Sequence, residues 1–320
     1  MSNEFVTLSR DTNQARGLGQ YAIDFLGGRF AGPDEGVLRM VERFHLDSMA
    51  CGVSALAGGA NAPTVLRREA LEYECRPRDL GASRNATEGV PYVREANGCR
   101  ERTQCRSDGV PCFGSRVPVK PEKAVVANCS AVREWDANGT NFGFNPARGH
   151  TKGEFGHNDY YPVAVAAAQL AGFDGRQTLL AMILLDEIRG RLAEVFALKN
   201  YKIDHVLYGA IASAAVFAAA LRATAEQIES AIGLVVAHYV PFRAIRAGHQ
   251  LSDSKGASAA ISSEAAVLSA ERAMRGFVGP GDIFRNPEAV FCLFEKPAHK
   301  DESPFDLVLG ASGSDFAVMG

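Results

Sequence analysis

Between Glu134 and Pro162 the chain reads EWDANGTNFGFNPARGHTKGEFGHNDYYP, an irregular stretch holding aspartates, a threonine, two histidines and several glycines. Asp136 and Thr140 stand four residues apart. That spacing sets them on one side of a helical turn or around a ligand cupped by a loop, while Gly139, Gly143, Gly149, Gly153 and Gly156 permit close backbone approach. His157 precedes Asn158, Asp159 and a helix expected to begin near Pro162, whose unpaired amides favour an anion. Two further stretches carry chemistry. In NYKIDHVLYGAIAS, Lys202, Asp204 and His205 come just before an alanine-rich helix, with Asp204 suited to its cap and His205 to its first turn. In PFRAIRAGHQLSDSKGASAA, Arg243 and Arg246 lie three apart, and Lys255 follows a polar turn and enters the next helix. Guanidinium forks grip carboxylates and a partly desolvated lysine moves protons, so three such cations near one pocket suit a di- or tricarboxylate.

These residues need a scaffold, and the sequence around them is helical. Pro33 to Leu56 opens with proline and acids and then repeats apolar residues at spacings of three and four. The same period runs through Arg176 to Ala197, Ile211 to Leu221, Thr224 to Tyr239 and Ser262 to Phe277, and Thr224 with Gln227 makes a capping box. Small residues dominate, so the axes can approach closely in a compact multi-helix core. Two regions break the pattern. Cys75 to Gly114 carries seven arginines and no apolar period, which predicts an irregular insertion or a disordered excursion. SPFDLVLGASGSDFAVMG alternates like strand and stops at Gly320, as though a β-containing unit had just begun.

Composition narrows the function. With 320 residues, 47% of them hydrophobic, and a formal charge of −3, the chain belongs among globular proteins and offers no overall field for nucleic acid or an anionic membrane. No secretory leader is legible at the N-terminus, and the longest apolar run, Ala210 to Leu221, is too short to span a bilayer. Seven cysteines without a dense, even framework predict reduced thiols and a cytoplasmic protein. Cys99, Cys105 and Cys112 cluster loosely without Cys-x-x-Cys spacing, and His150, His157 and Asp159, the set a metal-dependent hydrolase would use, lack a His-Glu-x-x-His helix.

The order REWDANGT, FGHND, LLDEIRGRLAE, KIDHVL, FRAIR and SDSKGASAA resembles the MmgE/PrpD family, which includes 2-methylcitrate dehydratases and cis-aconitate decarboxylases. The resemblance runs with interruptions from Gly36 to Ala70 and from Phe113 to Glu295. It implies a mainly α fold: a helical main domain over residues 1–278, with 75–112 as an irregular insertion, and the start of an α+β lid domain over 279–320, cut short at the C-terminus. It also implies a homodimer and a metal-free, cofactor-independent site between the domains. Carried over residue by residue, the family's catalytic positions fall on Asp136, Thr140, His157, His205 and Lys255, with Arg243 and Arg246 as contacts to substrate carboxylates. This chain has Gly139 where members often carry an aspartate, and His150 is an alternative to His157. The expected activity is a lyase acting on a small polycarboxylate, first of all dehydration of a 2-methylcitrate-like substrate. The alternatives are a decarboxylase, an epimerase, or a truncated, non-catalytic relative. The residues leave open which group is base and which is acid.

Overall fold

A computed structural model describes residues 4–75, 109–150, 154–246 and 252–319. The helices are α1 Gln14–Leu26, α2 Glu35–Ala57, α3 Asn61–Leu71, α4 Pro121–Arg133, α5 Tyr161–Ala171, α6 Gly175–Val195, α7 Val206–Ala220, α8 Ala225–His238, α9 Asp253–Gly256, α10 Ser258–Met274 and α11 Val290–Phe294. Short strands complete the fold: β1 Phe5–Leu8, β2 Gly32–Pro33, β3 Val110–Pro111, β4 Pro118–Val119, β5 Leu307–Gly310 and β6 Ser312–Gly313. The protein is mainly α, as the helical periods predict. Of the irregular Cys75 to Gly114 stretch, residues 76–108 lie outside the described residues, and Val110–Pro111 pairs antiparallel with Pro118–Val119.

The centre is α7. All fifteen of its residues are buried, and α1, α5, α6, α8 and α10 pack around it. Nine of the fifteen residues in VLYGAIASAAVFAAA are alanine, serine or glycine, so neighbouring axes come close; alanine also has the best intrinsic helix propensity. The helix begins at Val206, five residues before the start its apolar period marks, because Asp204 Oδ1 accepts the Val206 amide at 3.3 Å and polar His205 occupies the cap position. Elsewhere caps set the boundaries. Asp34 accepts the Gly36 and Val37 amides ahead of α2, and capping boxes at Asp174/Gln177 and Thr224/Gln227 start α6 and α8.

Residues 279–319 lie against the helical body. β5 pairs antiparallel with β1 in the register Phe5↔Gly310 to Leu8↔Leu307, and β6 pairs parallel with β2. Buried Glu187 of α6 fixes this segment from beneath: its two carboxylate oxygens accept the Gly310 and Ala317 amides, each at 2.6 Å. Arg191, one turn on, pairs with Glu187 at 2.9 Å and with Asp315 at 2.6 Å. Among the described residues no single helix is long and apolar enough to cross a membrane.

Candidate active site

The irregular segment that opens the sequence reading is built on the end of α4. The chain leaves Arg133 through Asp136, which adopts a left-handed φ of 51° and donates its amide to the Arg133 carbonyl. Arg133 is buried, and its Nη1 lies 2.7 Å from Asp136 Oδ1 and 3.2 Å from Asp159 Oδ2. Burial works against the charge on Arg133, and Asp159 and Asp136 more than offset it, so its pKa is raised. Burial pushes the Asp159 carboxyl up, against the pull of Arg133 and of the hydrogen bond from Asn138.

Gly139 has a local physical cause. Its φ of 81° is left-handed, and a Cβ there would stand 2.6 Å from Asn158 Oδ1 and 2.7 Å from His157 Nδ1. Its amide donates to Asp47 Oδ2 of α2 at 3.0 Å, and the same oxygen accepts Asn158 Nδ2 at 2.9 Å. The next amide, that of Thr140, donates to His157 Nδ1 at 3.0 Å. His157 is therefore gripped from within the loop. Its ring is fully buried, edge-on to Phe44 and Tyr161, and Nε2 stands 3.9 Å from Asp186 Oδ2. Burial and then the charge of Arg189 hold its pKa well below the ordinary value, which keeps the imidazole neutral.

His205 sits differently. A hydrogen bond from the Asp204 amide to the Pro241 carbonyl (2.8 Å) and another from the Arg243 amide to the Lys202 carbonyl (2.8 Å) zip residues 241–243 onto 202–204. This brings Arg243 beside His205. Together with Arg133, Asp136, Glu154, Phe155 and Lys199 they line a cavity of about 340 Å³. Lys199 Nζ is 3.1 Å from Glu154 Oε2; burial raises the Glu154 pKa, and Lys199 opposes that rise. A second cavity of about 250 Å³ shares the Arg133 and Asp136 walls and adds Ser252, Asp253 and Lys255, whose Nζ lies 2.6 Å from Asp136 Oδ2. The two spaces thus run side by side along one acid–cation wall.

A family model, the MmgE/PrpD N-terminal domain, matches residues 79–302, more than half of the chain. The chain belongs to the MmgE/PrpD family. Membership sets this MmgE/PrpD protein in a lyase-type family. Of the positions carried over from the resemblance, Asp136, His205 and Arg243 border the larger cavity, and Lys255 joins Asp136 in the smaller one. Thr140 and His157 are not among the residues that line either cavity, and the Thr140 amide joins the two. Arg246 closes the turn Arg243–Arg246, and its side chain lies outside the described residues.

The structure also brings up residues that spacing did not single out. Arg133, Glu154 and Lys199 line the cavity, and Arg189 touches His205 from beneath. Arg189 carried a legible signal: in α6 it shares a face with Leu185, Leu192 and Ala193, all buried, so a charged group interrupts an apolar stripe. Among the described residues, no three His, Cys, Asp or Glu side chains gather into a metal-sized cluster.

Proposed function

We propose that this protein is a cofactor-independent lyase acting on a small polycarboxylate, most directly dehydrating a 2-methylcitrate-like substrate. The observation that carries the reading is the cavity of about 340 Å³ in which Arg133, Lys199 and Arg243 gather around His205 and Asp136. Arg133 and Lys199 are paired with Asp136 and Glu154 of the same lining, and Arg243 adds a guanidinium to that wall, which suits a carboxylate gripped through paired N–H donors.

Dehydration begins with loss of a proton beside a carboxylate, and negative charge then builds on the carboxylate oxygens. Fixed cations in a partly dry site offset that charge by several kcal/mol. In our reading Asp136 takes the carbon-bound proton, and the electron pair left behind forms the double bond as the carbon–oxygen bond breaks. Lys255 supplies a proton to the departing hydroxyl, which leaves as water. Transfer of the proton from Asp136 back to Lys255, across the 2.6 Å that separates them, restores both groups. His205 faces the charge that develops in the cavity. Thr140 and His157 shape the loop that carries Asp136, and Arg246 is a further carboxylate contact from the same turn as Arg243. The protein works as a homodimer in this reading.

Proton NMR of the purified 320-residue chain with 2-methylcitrate, citrate and cis-aconitate, beside a Lys255→Ala variant, tests it. Loss of water from one of these acids, abolished in the variant, is the expected result. Loss of carbon dioxide would replace dehydration with decarboxylation, and uptake of solvent deuterium into unchanged substrate would replace it with epimerisation. A folded chain that leaves all three acids unchanged overturns the proposal.

A further inference from the structure

Arg189 is fully buried, and its surroundings hold it in one place. The guanidinium carbon lies 5.4 Å from the centre of the Phe142 ring and 5.6 Å from that of Tyr160. Tyr160 reaches this position because Gly209 has no side chain: a Cβ there would stand 2.0 Å from the phenol ring. From this seat Nη2 reaches the Phe155 carbonyl at 3.2 Å and His205 Nδ1 at 3.3 Å.

A guanidinium has five N–H donors, no acceptor, and does not lose its proton in a protein. A contact with Nδ1 is therefore favourable only when Nδ1 is bare and accepts. A neutral imidazole with a bare Nδ1 carries its single proton on Nε2. Asp204 Oδ1, 3.7 Å from Nε2, adds an acceptor on that side of the ring and favours the same tautomer. The ring itself borders the cavity.

We infer that Arg189 is a positioning residue that locks His205 as the Nε2–H tautomer, so that His205 serves the cavity as a hydrogen-bond donor and not as the proton-abstracting base. Neither ring nitrogen is then open to a proton from substrate: Nδ1 is occupied by Arg189 and Nε2 already carries hydrogen. The Nε2–H is the donor this tautomer offers, and a preorganised donor has most effect beside an oxygen that gathers negative charge. The catalytic half of this statement rests on the lyase reading above. The tautomer does not.

The test is nitrogen-15 NMR of the full chain labelled at histidine, with the His205 signals assigned by their disappearance in His205→Gln. Long-range proton–nitrogen correlations at neutral pH are expected to show a bare Nδ1 and a protonated Nε2. Arg189→Met is expected to lose that preference and show both tautomers. A proton on Nδ1 in the unsubstituted chain, or on both nitrogens, overturns the lock, and that spectrum decides even if the variant does not fold. With a substrate that turns over, Arg189→Met is expected to lower kcat about tenfold or more with KM changed less than about twofold. An unchanged kcat overturns the catalytic half. If His205 shows the expected tautomer but no polycarboxylate reacts, the lock stands and the lyase reading falls.

Discussion

Asp136 Oδ2 lies 2.6 Å from Lys255 Nζ, joining the loop after α4 to α9 across 119 residues of sequence. The carboxylate is also paired with Arg133, so one side chain ties a buried cation to an accessible one. A left-handed backbone at a non-glycine residue is sparsely populated, and here the two cations help to hold it. Asp136→Asn keeps the shape and removes the charge. We expect turnover to fall about a hundredfold or more, the scale of a lost acid–base group. The Lys255 partner is partly exposed, and buried Arg133 keeps Asp159 and the new amide oxygen, so unfolding free energy is expected to fall by about 1–2 kcal/mol. Turnover by NMR and urea unfolding of the same preparation check the split; a large stability loss would make the residue structural.

The contact of Tyr160 with Gly209 predicts the effect of one added methyl group. Gly209→Ala places a Cβ within 2.5 Å of three atoms of the Tyr160 ring, and the buried phenol has to move. Overpacking of this kind costs about 1–3 kcal/mol, measured by urea unfolding. Because Tyr160 also flanks Arg189, the His205 signals are expected to shift in the same variant, although residue 209 is not among those that line the cavity.

The positions most legible from sequence are those where local chemistry decides the outcome. The Thr224/Gln227 box starts α8 where its residue types predict, and α2 and α6 follow their apolar periods to within two residues at each end. Four helices, α1, α3, α4 and α11, escape that reading. In α1 two glycines interrupt the pattern, and α4 is buried on all sides, so no polar face marks its period. At the site, spacing picks out Asp136, His205 and Arg243 but not Arg133, Glu154 or Lys199. Lys199 and Arg133 are ordinary helix-flanking cations in the sequence, and only the fold shows that they share a cavity with His205. His157 illustrates the reverse. Its motif is conspicuous, but whether a loop histidine faces solvent or the interior depends on Phe44, Phe142 and Tyr161, which pack around it.

Glu187 tests how firmly the C-terminal segment is held. Its carboxylate is wholly buried, accepts two backbone amides and faces Arg191, so Glu187→Ala leaves the two amides without their acceptor, while Arg191 keeps Glu194 and Asp315. We expect a loss of about 2–5 kcal/mol, from about 1–3 kcal/mol for each buried amide left unsatisfied. Hydrogen exchange is expected to rise first at Gly310 and Ala317, whose amides lose their partner. If those amides stay protected, the segment is held by the β1–β5 pairing instead.

Asp186 gives the clearest dependence on pH. Its carboxyl is fully buried, and burial raises its pKa well above the ordinary carboxylate value, against the hydrogen bond that Tyr161 Oη donates at 2.6 Å. A raised folded pKa means that the folded state holds the proton after the unfolded chain, with a pKa of about 3.9, has lost it. The contribution to stability is complete below that value and is lost as pH rises through the folded pKa, at up to about 1.4 kcal/mol per pH unit. Asp186→Asn keeps an oxygen for Tyr161 and does not titrate. The stability of the variant relative to the unsubstituted chain is therefore expected to improve steadily from pH 4 upward. Any constant cost of the new amide shifts this curve without changing its slope, so the slope is the quantity to measure, by urea unfolding at several pH values. A difference that stays flat with pH would mean that Asp186 is ionised in the folded protein, stabilised by the nearby Arg189 charge.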